Sequence, residues 1–248
     1  MTQDSTSTAL SVRGLTVSYG GPAIVKDASL TVPRGAVMGL LGPNGAGKST
    51  FLNAILGLVP RARGEVTFFG DPLRAARRRI AHMPQTARVD LDYPITVEGV
   101  VRMGTYPRLG LFRRPGERER ALVDDAISRM GLDDHRHHQI SELSGGQLKR
   151  TFLARVLAQD PELYLLDEPF AGVDVVSDRV IRRELQRLAE SGATVVLIHH
   201  DLATVKEICS HVTLLDHRVI ASGTLKEAFT PENINAAYGL GLMTEDTP

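Results

Sequence analysis

Lys48 and Ser49 stand near the end of Gly42-Pro43-Asn44-Gly45-Ala46-Gly47-Lys48-Ser49-Thr50, a run that reads G-x-x-x-x-G-K-S. Glycines at these spacings let consecutive backbone N–H groups turn inward on an anion, and a helix beginning there adds its partial positive charge. Lys48 can then reach the β- and γ-phosphates, and the Ser49 hydroxyl can ligate Mg²⁺. The run predicts binding of a nucleoside triphosphate. Two further acids stand together in Leu163-Tyr164-Leu165-Leu166-Asp167-Glu168-Pro169. Asp167 would share the Mg²⁺ with Ser49, and Glu168 would polarise a water for in-line attack on the γ-phosphate. An Asp-Glu pair after a strand also suits a plain helix-initiating turn. The glycine loop upstream is what favours chemistry over that reading.

These groups need elements to hold them. The apolar run 36–41 before the glycine loop reads as a buried strand, and 51–56 after it as a helix, the order the phosphate pattern requires. Residues 163–166 form a second buried strand whose carboxyl end delivers the two acids, where α/β sheets place ligands. Val12, Leu15, Val17 and Tyr19 alternate loosely, and 24–32 follow a Gly20-Gly21-Pro22 turn, which predicts an antiparallel hairpin. Further strands are expected at 65–69 and 80–83, with a basic helical stretch at 74–79. From about Thr86 strand patterns vanish; helices dominate to about 159, broken by a turn-rich link at 110–116. The α/β rhythm then returns with a helix at 178–191, a strand at 194–199, a helix at 202–209 and a strand at 212–215. The expected architecture is one α/β domain over 10–239. Its core lies at 10–85 and 160–239 and includes an antiparallel β region; a mainly helical subdomain is inserted at 86–159. Residues 1–9 and 240–248 read as flexible termini.

The totals narrow the function. A chain of 248 residues suits one large α/β domain, and 42% hydrophobic residues suffice for its core. Equal numbers of basic and acidic residues, 29 each, create no global field toward nucleic acid or an anionic membrane. The single cysteine, Cys209, excludes an internal disulfide and reads as a small core residue. The polar start has no secretory pattern, and no apolar run nears the roughly 18 residues of a membrane helix. These traits predict a cytoplasmic protein. Arginines at 74, 77–79, 113, 114, 118 and 120 read as solvated faces that could meet lipid head groups or acidic residues of a partner.

Leu143-Ser144-Gly145-Gly146-Gln147 decides the family reading. Ser144 is placed to cap a helix, and the two glycines allow another backbone to approach. Together with the glycine loop and the Asp167-Glu168 strand, this segment resembles the signature of the ATP-binding cassette (ABC) family without departure. The resemblance runs from about 10 to 239 and implies a P-loop NTPase (RecA-like) fold that hydrolyses ATP with Mg²⁺. It implies that Ser144, Gly145, Gly146 and Gln147 meet the γ-phosphate bound on an opposite subunit, so that a head-to-tail homodimer encloses two ATP. Position by position, it assigns Tyr19 to adenine stacking (an ordinary strand tyrosine is the alternative) and Gln85 to Mg²⁺ and the attacking water. It places Asp174 at the dimer-crossing loop and His200 at the γ-phosphate. His199, one residue earlier on the strand, should face the other way.

What the hydrolysis drives is read from weaker features. A single cassette without a membrane span would need separate membrane subunits, and indirectly a solute-binding protein, at the inner face of the cell membrane. Val89-Asp90-Leu91-Asp92-Tyr93-Pro94-Ile95-Thr96-Val97, Phe170-Ala171-Gly172-Val173-Asp174 and Phe229-Thr230-Pro231-Glu232-Asn233 resemble the manganese, zinc and iron importer branch. Siderophore, heme or cobalamin importer cassettes remain open, as does a soluble cassette ATPase. Nucleic acid is not an expected partner, and a small-molecule phosphotransferase ranks last because it has no use for the 144–147 signature. His135, His137 and His138 could suggest direct metal binding, but adjacent imidazoles with Arg136 among them read as a solvated loop.

Overall fold

In the computed structural model, which describes residues 7–85, 93–109 and 114–239, the elements follow the apolar periodicity closely. β1 (Thr8–Val17), β2 (Val25–Pro33) and β3 (Val37–Leu41) come first, then α1 (Lys48–Ile55), β4 (Arg63–Phe68), the single turn α2 (Leu73–Ala76) and β5 (Ile80–Met83). Next are α3 (Val97–Met103), α4 (Tyr106–Leu109), α5 (Glu117–Arg129) and α6 (Gly145–Ala158). The chain continues through β6 (Leu163–Asp167), α7 (Val175–Glu190), β7 (Thr194–Ile198), α8 (Leu202–Ile208), β8 (His211–Asp216) and β9 (Arg218–Thr224), and ends with α9 (Leu225–Ala228) and α10 (Pro231–Tyr238). Among the described residues from 93 to 158 every named element is helical. Of the expected flexible start at 1–9, Thr8 and Ala9 instead open β1 with Ala9 fully buried, because pairing with β2 and β4 extends to them. Residues 1–6, the tail at 240–248, the onset of the helical region at Thr86, Val89–Asp92 of the importer-like stretch and 110–113 of the link, with Arg113, lie outside the described residues.

The chain gathers into two compact units, 1–74 with 198–248, and 75–197. In the first, β1 sits between β2 and β4 in an antiparallel sheet, with Leu10 opposite Val32 on one side and Phe68 on the other. The expected hairpin is therefore present, but Tyr19 is not part of it. β1 ends at Val17, and Tyr19 lies on the connection to β2, the residue 56% exposed. β3 runs parallel to β8, and β8 antiparallel to β9. All five residues of β3 are buried, as a continuous apolar run demands. β9, α9 and α10 go beyond the sequence expectation. β9 (Arg-Val-Ile-Ala-Ser-Gly-Thr) is half-exposed and alternates weakly; pairing with β8 across the Asp216-His217 turn makes it a strand.

In the second unit β5, β6 and β7 lie side by side, with β5 parallel to β6 and Ile80 opposite Leu163. α6 packs against α3, α5, α7 and β5. Its Phe152, Leu153, Val156 and Leu157 are buried. α7 begins at Val175, three residues before the expected start. The reason is local: the Asp174 carboxylate caps it by accepting from Val176 and Ser177 N–H, both at 2.9 Å.

Candidate functional site

The glycine loop connects β3 to α1 as the sequence requires. Gly42, Gly45 and Gly47 have φ of 151°, 83° and 92°, a region in which a side chain would be strained. At Gly42 space is denied as well, since a Cβ would lie 1.9 Å from the Leu215 carbonyl oxygen. Lys48 is buried at the first turn of α1, and its Nζ donates to the carbonyls of Gly42 and Pro43, both at 2.8 Å. The ammonium is thus held over the loop it would serve. Asn44 and Gly45 are exposed at the rim, Pro43, Ser49 and Thr50 are half-buried, and Ala46 is buried. A loop of left-handed glycines curled around a lysine, at the start of a helix, is a cradle for polyphosphate. Two neighbours in this unit were named from the sequence. Tyr19 stands exposed on the β1–β2 connection, whose Ile24 carbonyl lies against Gly47. His200 is exposed and His199 is buried, but the two do not alternate across a strand as expected: β7 stops at Ile198, and the two imidazoles lie beside one another with ring centroids 5.2 Å apart and planes tilted by 55°. Asp201 caps α8 and is held below the usual carboxylate range, first by the Thr204 hydroxyl and then by the Thr204 and Ala203 N–H groups.

The second unit carries the acids. Asp167 ends β6 and is buried, whereas Glu168, half-buried, adopts a φ of 49°. A left-handed non-glycine residue directly after a strand is strained, and such strain is characteristic of functional turns. Gln85, just beyond β5, reaches across: its Nε2 donates to Glu168 Oε2 at 2.7 Å. The structure therefore joins two residues the sequence set more than eighty positions apart. Lys149 was not foreseen. Its Nζ donates to the Gln85 carbonyl at 3.3 Å, and burial pulls its ammonium pKa down against the opposing pull of Glu168 and Asp167. Within this unit, Asp167 and Gln85 carry oxygens of the kind that Mg²⁺, a hard cation, takes as ligands.

The signature segment is built as a capping box. Ser144 Oγ accepts from Gln147 N–H at 3.3 Å, and Gln147 Oε1 accepts from Ser144 N–H at 2.8 Å. Gly145 is open: a Cβ there would meet only the Gly172 carbonyl oxygen, at 3.9 Å. Gly146 is closed, because a Cβ would fall 2.1 Å from Asp174 Oδ2 and 2.4 Å from Ser177 Oγ. Asp174 is held below its ordinary pKa, chiefly by the Ser177 N–H and hydroxyl. Arg150, one helical turn beyond Gly146, completes this packing. Its Nε donates to Ser177 Oγ at 3.2 Å and its guanidinium to the Met130 and Gly131 carbonyls at 2.6 and 3.1 Å. Apolar periodicity does not single out Arg150; its burial is decided by the carbonyls and the hydroxyl that the fold brings to it.

The histidines turn out to support the signature. With Gln147 Oε1 engaged, its Nε2 must donate to His135 Nε2, at 2.9 Å. His135 then carries its proton on Nδ1 and donates to His138 Nδ1 at 3.0 Å. His137 points to solvent, 3.9 Å from Glu98. Among the described residues no group of three or more His, Cys, Asp or Glu side chains could hold a metal ion, and no helix is long and apolar enough to cross a membrane.

The family described as ABC transporter matches residues 25–171. A manganese transport system ATP-binding protein of Listeria innocua is 44% identical over 93% of this chain and 96% of its own length. A zinc transport system ATP-binding protein of Treponema pallidum is 48% identical over 95% of this chain and 88% of its own. Among solved structures, an ATP-binding subunit of an ABC transporter superposes with a TM-score of 0.78 at 28% identity, covering 88% of this chain and 91% of that one.

Proposed function

Because the chain belongs to the ABC transporter family and has its P-loop NTPase fold, we propose that it is the ATP-hydrolysing subunit of a membrane importer for manganese, zinc or iron. The observation that carries the transport reading is the near-full-length likeness to ATP-binding proteins of two metal transport systems. One of those systems is named for manganese and the other for zinc. A cassette so similar to both supplies force, and the ion is chosen by the membrane path.

The site chemistry supports each role. The 42–50 loop binds the triphosphate through backbone N–H groups and Lys48, and Tyr19 stacks on adenine. Mg²⁺, held by Ser49, Asp167 and Gln85, would neutralise charge on the phosphate oxygens. Glu168, already hydrogen-bonded to Gln85, holds the attacking water and takes its proton. His200 supports the γ-phosphate. The open face at Gly145, with Ser144, Gly146 and Gln147, meets the γ-phosphate on a second copy of the chain, and Asp174 lies at that junction. Two ATP thus close a homodimer, moving integral membrane subunits docked at the inner face of the cell membrane. Hydrolysis resets it.

The test is elemental analysis of cells lacking this chain, grown under metal limitation and complemented with wild type or Glu168→Gln. A fall in manganese, zinc or iron that only wild type restores is expected. Level metals throughout would overturn metal import and bring siderophore, heme, cobalamin or non-transport roles forward.

A further inference from the structure

His217 has a left-handed φ of 54° in the turn between β8 and β9, where glycine would sit without penalty. It nevertheless carries an imidazole, and its groups reach two segments, the phosphate loop and the junction of the β1–β2 connection with β2. The backbone N–H donates to the Ala46 carbonyl of the phosphate loop at 3.0 Å. Its carbonyl accepts from Lys26 N–H, at the start of β2, at 2.6 Å. Its Nδ1 lies 2.9 Å from the Ile24 carbonyl oxygen, and since a carbonyl can only accept, Nδ1 must bear the proton. Ile24 closes the β1–β2 connection that carries Tyr19, and it is bonded back to Val17 at 2.9 Å.

We infer that His217 is a positioning residue that sets the distance between the Tyr19 connection and the phosphate loop, and so matches the site to a triphosphate joined to an adenine base. The inference rests on the nucleotide reading given above. His217 touches no reacting atom. Its imidazole acts on binding of the whole nucleotide and leaves both the phosphate cradle and the chemical step intact. The two backbone bonds survive any substitution that keeps the left-handed turn, so the side-chain bond can be removed alone.

Three variants isolate it. His217→Gly relaxes the turn and loses the donor. His217→Asn tolerates the left-handed region and places an amide N–H where Nδ1 lies. His217→Asp has the same shape with an oxygen there, repelling the Ile24 carbonyl. Each is titrated with a fluorescent ATP analogue, with inorganic triphosphate as competitor, and melted without nucleotide. His217→Gly and His217→Asp should bind ATP about three- to tenfold more weakly, the factor one hydrogen bond of ordinary net worth represents. His217→Asn should bind as wild type, inorganic triphosphate should compete equally in all four proteins, and kcat should be unchanged. The melting midpoint of His217→Gly should equal or exceed that of wild type.

Equal ATP binding by every variant would overturn the positioning role. So would a parallel loss of inorganic triphosphate binding or of the melting midpoint, since either marks general loosening of the loop. No ATP binding by wild type would overturn the nucleotide reading itself and the positioning role with it.

Discussion

Gly145 and Gly146 are adjacent, chemically identical and both at the start of α6, yet alanine should affect them in opposite ways. At Gly145 the added methyl meets nothing nearer than 3.9 Å and gains helix propensity, so stability should hold or rise by up to about 1 kcal/mol. At Gly146 the methyl would need the space of Asp174 Oδ2, 2.1 Å away, and of Ser177 Oγ, 2.4 Å away. Both contacts are far inside van der Waals range, so the α7 cap must move. That movement forfeits an N-cap worth about 1 kcal/mol. It also breaks the bond from the buried Arg150 Nε to Ser177 Oγ, and a bond to a charged group is worth about 2 kcal/mol. Set against the propensity gain, the net loss is about 2 kcal/mol, which lowers Tm by about 4–8 °C in a chain of this size. The assay is thermal unfolding of both variants beside wild type, followed by ATP hydrolysis. Gly146→Ala should lose stability and hydrolysis together. Gly145→Ala should keep its Tm and lose hydrolysis, because the methyl obstructs the face offered to a second nucleotide. Equal shifts in Tm for the two variants would refute the packing argument.

Glu168→Gln keeps an acceptor for Gln85 Nε2 but no base, so ATP binding should persist, hydrolysis fall about 10²–10⁴-fold and an ATP-bound dimer accumulate on size-exclusion chromatography. Wild-type turnover in this variant would remove Glu168 from its role. Tyr19→Ala should weaken ATP binding by about 1 kcal/mol, read by titration, and unaltered affinity would return Tyr19 to an ordinary surface residue. His82, on β5, is pushed down to about 4 by burial first and by Arg155 second, and its buried Nε2 has no hydrogen-bond partner among the described residues. The unfolded chain therefore binds this proton more readily than the folded one. Stability should be fully present above about pH 6.5 and fall by about 3 kcal/mol as pH drops to about 4. Urea titrations across that range should show the slope flattened in His82→Leu, and an unchanged slope would exclude His82 as its source.

Signals that act within a few residues could be read directly from the chain. The order of strand, glycine loop, Lys48 and helix specifies the phosphate cradle, because φ freedom, a buried ammonium and a helix terminus are local properties. The apolar runs that became β3, β6 and β7 were equally plain, since a strand buried on both faces needs only side chains that all tolerate burial. The Ser144 capping box and the Asp167-Glu168 step belong to the same class. Local pattern misled at Tyr19, whose alternation continued past the point where β1 stops pairing, and it said little about β9, which exists because β8 is beside it. Other facts required the fold. Gln85 grips Glu168, Gly146 is sealed by Asp174, Gln147 leans on His135, and His217 reaches Ile24 across 193 positions of sequence. No periodicity encodes such contacts. They arise when packing brings backbone carbonyls and side chains that are distant in sequence within about 3 Å of one another, close enough for a hydrogen bond.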